Sequence, residues 1–458
     1  MRALRDYVFI PLAILLISAV VGILLLVAVY CLPTERIKEN MLSSVNVYLM
    51  EGGEYEYAEG YKSTIIDNNM DALTLAEAAY SSGDALQDAV MVPRIYYNDS
   101  EEEVYSYLGI VQGDESRESN TITYPVYWHG YLVLLKPFYM LFDFADMRVF
   151  NQAGILCVIF LMIWLMFRAG QQQYLFPLLI MLVFWNPASI GLSITLSCCC
   201  YISLLASCLV LYWYGSKKST IPCLRPGAIE RVCVGGVSDR KFEDGSMEYR
   251  LMLMFLMVGI ITVYMDALTY PVMTLCVPLI FYLICTMEQS WLRRTRNIFL
   301  YGVYWAAGYA GMWLEKWAFG SVISGTNLFP EALAKLSERS GSSTLSGVSF
   351  SRVDALWNLV RTLFKWPYLI MLAIFIIALF IRLRRKKMRI KSINVKGLIP
   401  FLFAACIPIA WILITANHCY VHPRLTYRNI GAILFALLTM LFSMGESRNP
   451  EIPEADRL

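Results

Sequence analysis

The sequence predicts an all-α polytopic membrane protein with about ten transmembrane helices and a large, partly helical first outer loop, and three observations predict it. Of 458 residues, 58% are hydrophobic and only 16% charged, against about 25% charged in a soluble chain. Apolar runs of about 20 residues, the length that crosses about 30 Å of hydrocarbon, recur along the chain. Lys and Arg collect in a few of the loops between those runs. Together these exclude an ordinary soluble enzyme and a disordered chain. The formal net charge of +2 also excludes a nucleic-acid binder recruited by bulk positive charge.

Residues 8 to 31 form the first run, too long for a signal-peptide core and without a small-residue cleavage site, so it reads as a retained anchor. The other spans are expected near residues 149 to 168, 172 to 187, 190 to 214, 251 to 268, 271 to 287, 298 to 316, 366 to 382, 398 to 415 and 426 to 443. Short basic loops stay cytoplasmic. Residues 382 to 396 carry eight basic residues and no acidic one, residues 215 to 250 carry seven basic residues, and RRTR at 293 to 296 adds three. Placing these inside puts both termini inside, an N-in/C-in arrangement within one transmembrane domain, 1–458. The extracytoplasmic side then receives a first loop, 32–148, and a second, 317–365.

Residues 131 to 147 are apolar, yet contain Lys136, Asp143 and Asp146, and read as a helix lying in the interface. In the second loop, residues 328 to 339 and 350 to 364 read as amphipathic helices that cover a cleft. Most of the twelve Cys lie in or near apolar segments, with Cys223 and Cys233 in a cytoplasmic loop and Cys419 in an outer turn, so no disulfide framework is implied.

Residues 32 to 130 hold 18 acidic and five basic residues, mostly a solvated surface. Within STIIDNNMDALTLAEAA, Asp67 and Asp71 stand four apart and would share one helix face. Close like charges raise one pKa, a preparation for a general base; the structural alternative is a helix cap at Asp67 and dipole compensation at Asp71. YPVYWHGY concentrates Tyr127 and Trp128 around His129, as an interfacial anchor or as a lip that stacks on a sugar ring.

All three His, at 129, 418 and 422, fall on the outer side. In ANHCYVHPRLTYR, His418, His422, Arg424 and Arg428 fill one turn, a receptor for phosphate or diphosphate or else a cluster of snorkelling cations. Two His four apart suggest a metal, but Pro423 interrupts the helix and no carboxylate is adjacent, so no metal ligand is assigned. Asp266 lies at the outer end of an apolar span, where an ionisable group is expensive and a functional role is the default expectation. Glu315 and Lys316 read as a mutually neutralising pair.

IDNNMDALTLAEAA, YWHGYLVLLKPF, YMDALTYPVMTLCVPLIFYL and NHCYVHPRLTYR, with the order of one span, an acidic outer loop, many spans and a second outer loop, resemble bacterial GT-C-fold membrane glycosyltransferases. The resemblance covers most of the chain. It implies inverting transfer of a sugar from a polyprenyl-phosphate donor to a glycan, lipid or protein acceptor at the outer face of the cell membrane. A first-loop Asp would be the general base, mapping to Asp67, then Asp71, although the family's acid lies closer to the first span, where Glu35 and Glu39 stand. Basic residues of the last outer turn would hold the donor phosphate. Some members use a divalent metal (Mg or Mn), which the sequence leaves open. A lipid-linked-glycan flippase or an envelope-assembly subunit are the alternatives; nucleic acid is not an expected partner.

Overall fold

The computed structural model describes residues 4–98, 100, 102–112, 118–218, 237–344, 347–385 and 395–444. Cys223, Cys233 and the central parts of the two large basic loops lie outside the described residues. The chain is an all-α polytopic membrane protein: among the described residues seven helices are long and apolar enough to cross a membrane. These are Arg5–Tyr30, Phe144–Arg168, Ile194–Gly215, Gly245–Met265, Trp366–Arg384, Val395–Ile414 and Pro423–Ser443. Two expected spans are shorter apolar helices, Gln172–Trp185 and Met273–Cys285. The remaining one lies within a 34-residue helix, Trp291–Ser324, about 51 Å long, whose Tyr, Trp and Gly content lowers its hydropathy.

Helices are numbered in chain order. The first span contains α1 (Ile10–Tyr30). The loop region follows with α2 (Glu35–Ser43), α3 (Val45–Glu51), β1 (Glu54–Glu56), β2 (Ile65–Asp67), α4 (Asn68–Ala78), α5 (Ala85–Met91), β3 (Pro93–Tyr97), α6 (Glu103–Gln112), β4 (Ser119–Thr123) and α7 (Leu132–Tyr139). The bundle comprises α8 (Phe144–Arg168), α9 (Leu175–Trp185), α10 (Pro187–Leu192), α11 (Ile194–Lys218), α12 (Val237–Met265), α13 (Met273–Cys285) and α14 (Trp291–Ser324). It continues with α15 (Phe329–Ser340), α16 (Arg352–Leu363), α17 (Trp366–Arg385), α18 (Val395–Ile414), α19 (Ala416–Val421), α20 (Pro423–Thr426) and α21 (Asn429–Ser443).

The apolar stretch at 131 to 147 is divided as its charges suggest. Helix α7 has eight residues, about 12 Å, too short to cross. Asp143 then starts α8 with a capping box shared with Asp146. The amphipathic segments of the second loop are α15 and α16, and Ser351 and Asp354 form the capping box of α16.

One large apolar core runs through α8 to α21. A second joins α1 and α12 to the loop helices, burying Ile37, Met41, Leu75, Tyr107 and Leu132 against Leu26 and Leu256. The loop region is therefore packed onto the bundle. At one end of the bundle Tyr7 meets Tyr249, and Tyr304 donates to the Tyr7 carbonyl; Glu248 there pairs with Arg293 and Arg296. Some 15 residues farther along α12, about 22 Å away, the Tyr264 carbonyl accepts from Gly130 N–H of the loop region. The loop region thus caps the end opposite the RRTR cluster.

Helices α12 and α14 cross closely because each offers a glycine. A Cβ on Gly259 would strike the Trp305 carbonyl, and one on Gly308 the Leu256 carbonyl. Backbone has little room to yield, so Gly308→Val is expected to cost about 1–3 kcal/mol. Gly302→Ala, whose Cβ would meet nothing within 4 Å, is expected to be neutral or slightly stabilising. Thermal unfolding of the purified protein in detergent distinguishes the two; equal midpoints would show that the crossing tolerates a side chain.

Candidate functional site

The site is built where the first loop meets the last turn. Strands β1 and β2 pair antiparallel with Glu54 opposite Asp67. Asp67 then caps α4, accepting from Met70 N–H at 3.1 Å. Its other carboxylate oxygen accepts from Arg424 at 3.3 Å, and the second arm of the same guanidinium reaches Glu54 at 2.8 Å. Asp67 is 1% exposed, whereas the Glu54 side chain is 45% exposed. Partial burial pushes the Glu54 carboxyl up against the opposing pull of Arg424. Asp67 is thus the helix cap that one reading of the sequence expected, and its other oxygen faces the basic turn.

Beside this pair lies a group of nitrogens short of partners. Arg339, near the end of α15, donates to His422 Nε2 at 3.3 Å. A guanidinium only donates, so His422 Nε2 accepts and its Nδ1 carries the proton in the neutral ring. That Nδ1, with Arg339 Nε and Arg424 Nε, is buried without a hydrogen-bond partner among the described residues. The ring of His418 lies 5.0 Å from that of His422, its Nε2 donating to the Leu268 carbonyl at 2.6 Å and its Nδ1 unpartnered. Burial lowers both histidines, His422 to about 3, with Arg424 and Arg339 adding repulsion. An anion bound here would satisfy the unpaired donors and reverse the field that holds the imidazoles neutral.

Arg339 also lines an apolar groove of about 360 Å³ whose walls are Tyr127, Tyr309, Trp313, Trp317 and Trp411. Helix α15 lies over it, contributing Leu333, Lys335 and Leu336. Trp317 and Tyr127 are fixed by partners below: Trp317 donates to the Val126 carbonyl at 3.0 Å, and Tyr127 packs edge-on against Trp313. The arrangement is an aromatic slot with the cations Lys335 and Arg339 in its lining.

Other expected cleft residues are tied into the packing instead. Asp71 is fully buried and caps α11, accepting from Ile194 N–H, Thr195 N–H, the Thr195 hydroxyl and the Ser193 hydroxyl at 2.9–3.3 Å. Arg428 is also fully buried, donating to the carbonyls of Trp185, Arg424 and Leu425 and to the Ser189 hydroxyl. Asp266 closes the turn after α12 by accepting from Thr269 N–H and its hydroxyl. His129 stands at φ 55° with Nε2 donating to the Tyr124 carbonyl and Nδ1 facing Glu77 and Tyr131. Trp128 donates to the Met312 carbonyl at 2.7 Å. Of that aromatic run only Tyr127 lines the groove. Glu35 and Glu39 are exposed on α2.

One sequence expectation is corrected. Glu315 and Lys316 do not pair: adjacent helical residues point about 100° apart, and Lys316 donates instead to the Val90 carbonyl at 2.8 Å. Cys419 lies on α19, in the turn between two spans, and is fully buried.

Burial pushes the Asp71 carboxyl up to about 6 even though Thr195 and its backbone oppose this. Between about pH 4 and pH 6 the folded protein therefore keeps a proton that the unfolded chain has released. Stability is expected to fall as pH rises through that window, by on the order of 3 kcal/mol. Asp71→Asn should flatten that dependence, because the amide does not titrate while its one oxygen still accepts from Thr195. Unfolding midpoints at pH 4, 5 and 6 test this, and an unchanged slope in the variant would remove Asp71 as its source.

Sequence reasoning did not single out Arg339, Glu54 or the buried Glu51–Arg148–Asn68 network, in which Arg148 grips Glu51 with two 2.8 Å bonds. Among the described residues no three His, Cys, Asp or Glu are grouped to hold a metal. Asp67 and Glu54 are both engaged by Arg424. No family model, curated protein or solved structure matches the chain.

Proposed function

We propose that the protein is a membrane glycosyltransferase that takes a sugar from a polyprenyl-phosphate donor at the extracytoplasmic end of the bundle. One observation carries the reading: an aromatic groove leads to Arg339, where buried N–H donors of Arg339, His422 and Arg424 lack partners. A ligand with a long apolar chain ending in a phosphate answers both halves. The prenyl chain occupies the groove and the phosphate meets the donors. N-in/C-in topology with ten crossings is part of this proposal, since it places the loop-capped end outside.

In this scheme the acceptor oxygen bonds to the anomeric carbon as the carbon–oxygen bond to the phosphate breaks. Polyprenyl phosphate departs with that electron pair, and the acceptor proton passes to a carboxylate. Arg424 links the two events, since it holds Asp67 and Glu54 while its Nε stays unpaired. Turning toward the phosphate weakens its hold on Asp67 and frees that oxygen as base.

The test of the donor site is photo-crosslinking of the purified protein in proteoliposomes with a polyprenyl-phosphate sugar. Arg339→Ala and His422→Ala are each expected to reduce labelling about tenfold or more. Labelling unchanged in both would sink the phosphate assignment. Donor that crosses the bilayer without losing its sugar would indicate a lipid carrier instead.

A further inference from the structure

A second cleft, of about 380 Å³, opens between the β1–β2 connection and α16, within the roughly 300–1,000 Å³ of small-molecule sites. Its character is opposite to that of the aromatic groove. Lys62, Arg361 and Lys365 line it together with Asn358, Thr362 and a single acid, Glu56. Glu56 accepts from Gly60 N–H at 3.2 Å. None of the three cations has a carboxylate at ion-pair distance among the described residues.

The walls are held from behind. Asn358 and Arg361 stand three apart on one side of α16, Lys365 follows just beyond the helix end, and the Asn358 amide donates to the Tyr420 carbonyl at 3.2 Å. Across the cleft Ser63 is fixed by the Tyr368 hydroxyl at 2.7 Å and the Tyr427 hydroxyl at 3.1 Å. An anion entering the cleft would meet three cations on a scaffold anchored from behind, with Glu56 the one acid among the lining residues. Amide and hydroxyl groups between them suit a ligand that also carries hydroxyls. Glu56 and Glu54 lie two apart on one strand and so share a face, which runs this cleft toward the Glu54–Asp67 pair.

We infer that the cleft between the β1–β2 connection and α16 seats an anionic saccharide, the acceptor of the transfer reaction. The word acceptor rests on the function proposed above; the binding of an acidic sugar does not. Digalacturonate, maltose and inorganic phosphate are the probes, each titrated against the detergent-purified full chain and read by saturation-transfer NMR and calorimetry.

Digalacturonate is expected to bind with an affinity that falls as salt rises, and about tenfold or more weaker in the Arg361→Ala/Lys365→Ala double variant. Maltose is expected not to bind. Arg361→Lys, which keeps the charge, should retain most of the affinity, and an unchanged unfolding midpoint of the double variant separates lost binding from lost folding. Equal affinity in the wild type and double variant, binding of maltose as tight as that of digalacturonate, or phosphate binding as tight as either would each overturn the inference. Arg339→Ala should leave digalacturonate binding intact, so loss of donor labelling and loss of saccharide binding report separately on the two sites.

Discussion

Asp67→Asn is expected to slow sugar transfer in proteoliposomes by about 10²–10⁴-fold, the usual contribution of a general base, while leaving the protein folded. The two effects separate because of how Asp67 is placed. Its bond from Met70 N–H is a helix cap, and asparagine caps a helix about as well as aspartate. The charge facing Arg424 is lost, and with it the acceptor for a proton. Glu54→Gln, at the half-exposed partner of the same guanidinium, is expected to cost less, about tenfold. Transfer rates with an unfolding midpoint for each variant decide the matter. Full activity in Asp67→Asn together with an inactive Glu54→Gln would move the base to Glu54.

Arg428→Ala is expected to lower the unfolding free energy by about 3–5 kcal/mol, a large share of a total of about 5–15. The guanidinium is the tie between the last turn and the α9–α10 corner. It donates to the Trp185 carbonyl at 3.2 Å, to the Arg424 carbonyl at 2.8 Å and to the Ser189 hydroxyl at 2.8 Å, with its plane over the Tyr427 ring. Alanine would strand those buried acceptors and leave a void. Arg428→Lys should recover only part of the loss, because an ammonium cannot reproduce the planar fork. Denaturant or thermal unfolding in detergent checks the size. A stable Arg428→Ala that had lost transfer would place the residue in the chemistry instead.

The long helices were legible because length and hydropathy are local properties, and so were α15 and α16, whose apolar spacing is visible within twelve residues each. Asp67 and Arg424 were both singled out, yet their pairing was not, since 357 positions separate them and only the packed bundle brings them together. Arg339 looked like one charge among several on an amphipathic helix. Its importance depends on α15 lying over the turn that carries His422, which no periodicity encodes. At Asp71 and Arg428 the structure shows a packing role that the sequence did not reveal. Their residue types fit a cleft, and they serve as cross-ties because a helix start and a helix end happen to need a partner from a distant segment. Glu315 and Lys316 show the same limit, since neighbours in sequence face different ways on a helix.

Ser63 has a consequence for how the protein is made. Its backbone carbonyl receives the Tyr427 hydroxyl from 364 residues later and the Asn186 side chain from 123 residues later, and its own hydroxyl receives Tyr368. At about 5–20 residues per second, the ribosome reaches Tyr427 roughly 20–70 s after Ser63. Throughout that interval the early loop has emerged without its latch. That end of the bundle then closes as one of the last acts of biosynthesis, and a nascent chain stalled before α19 would carry every first-loop residue and still lack Arg424 and Tyr427, which hold Asp67 and Ser63.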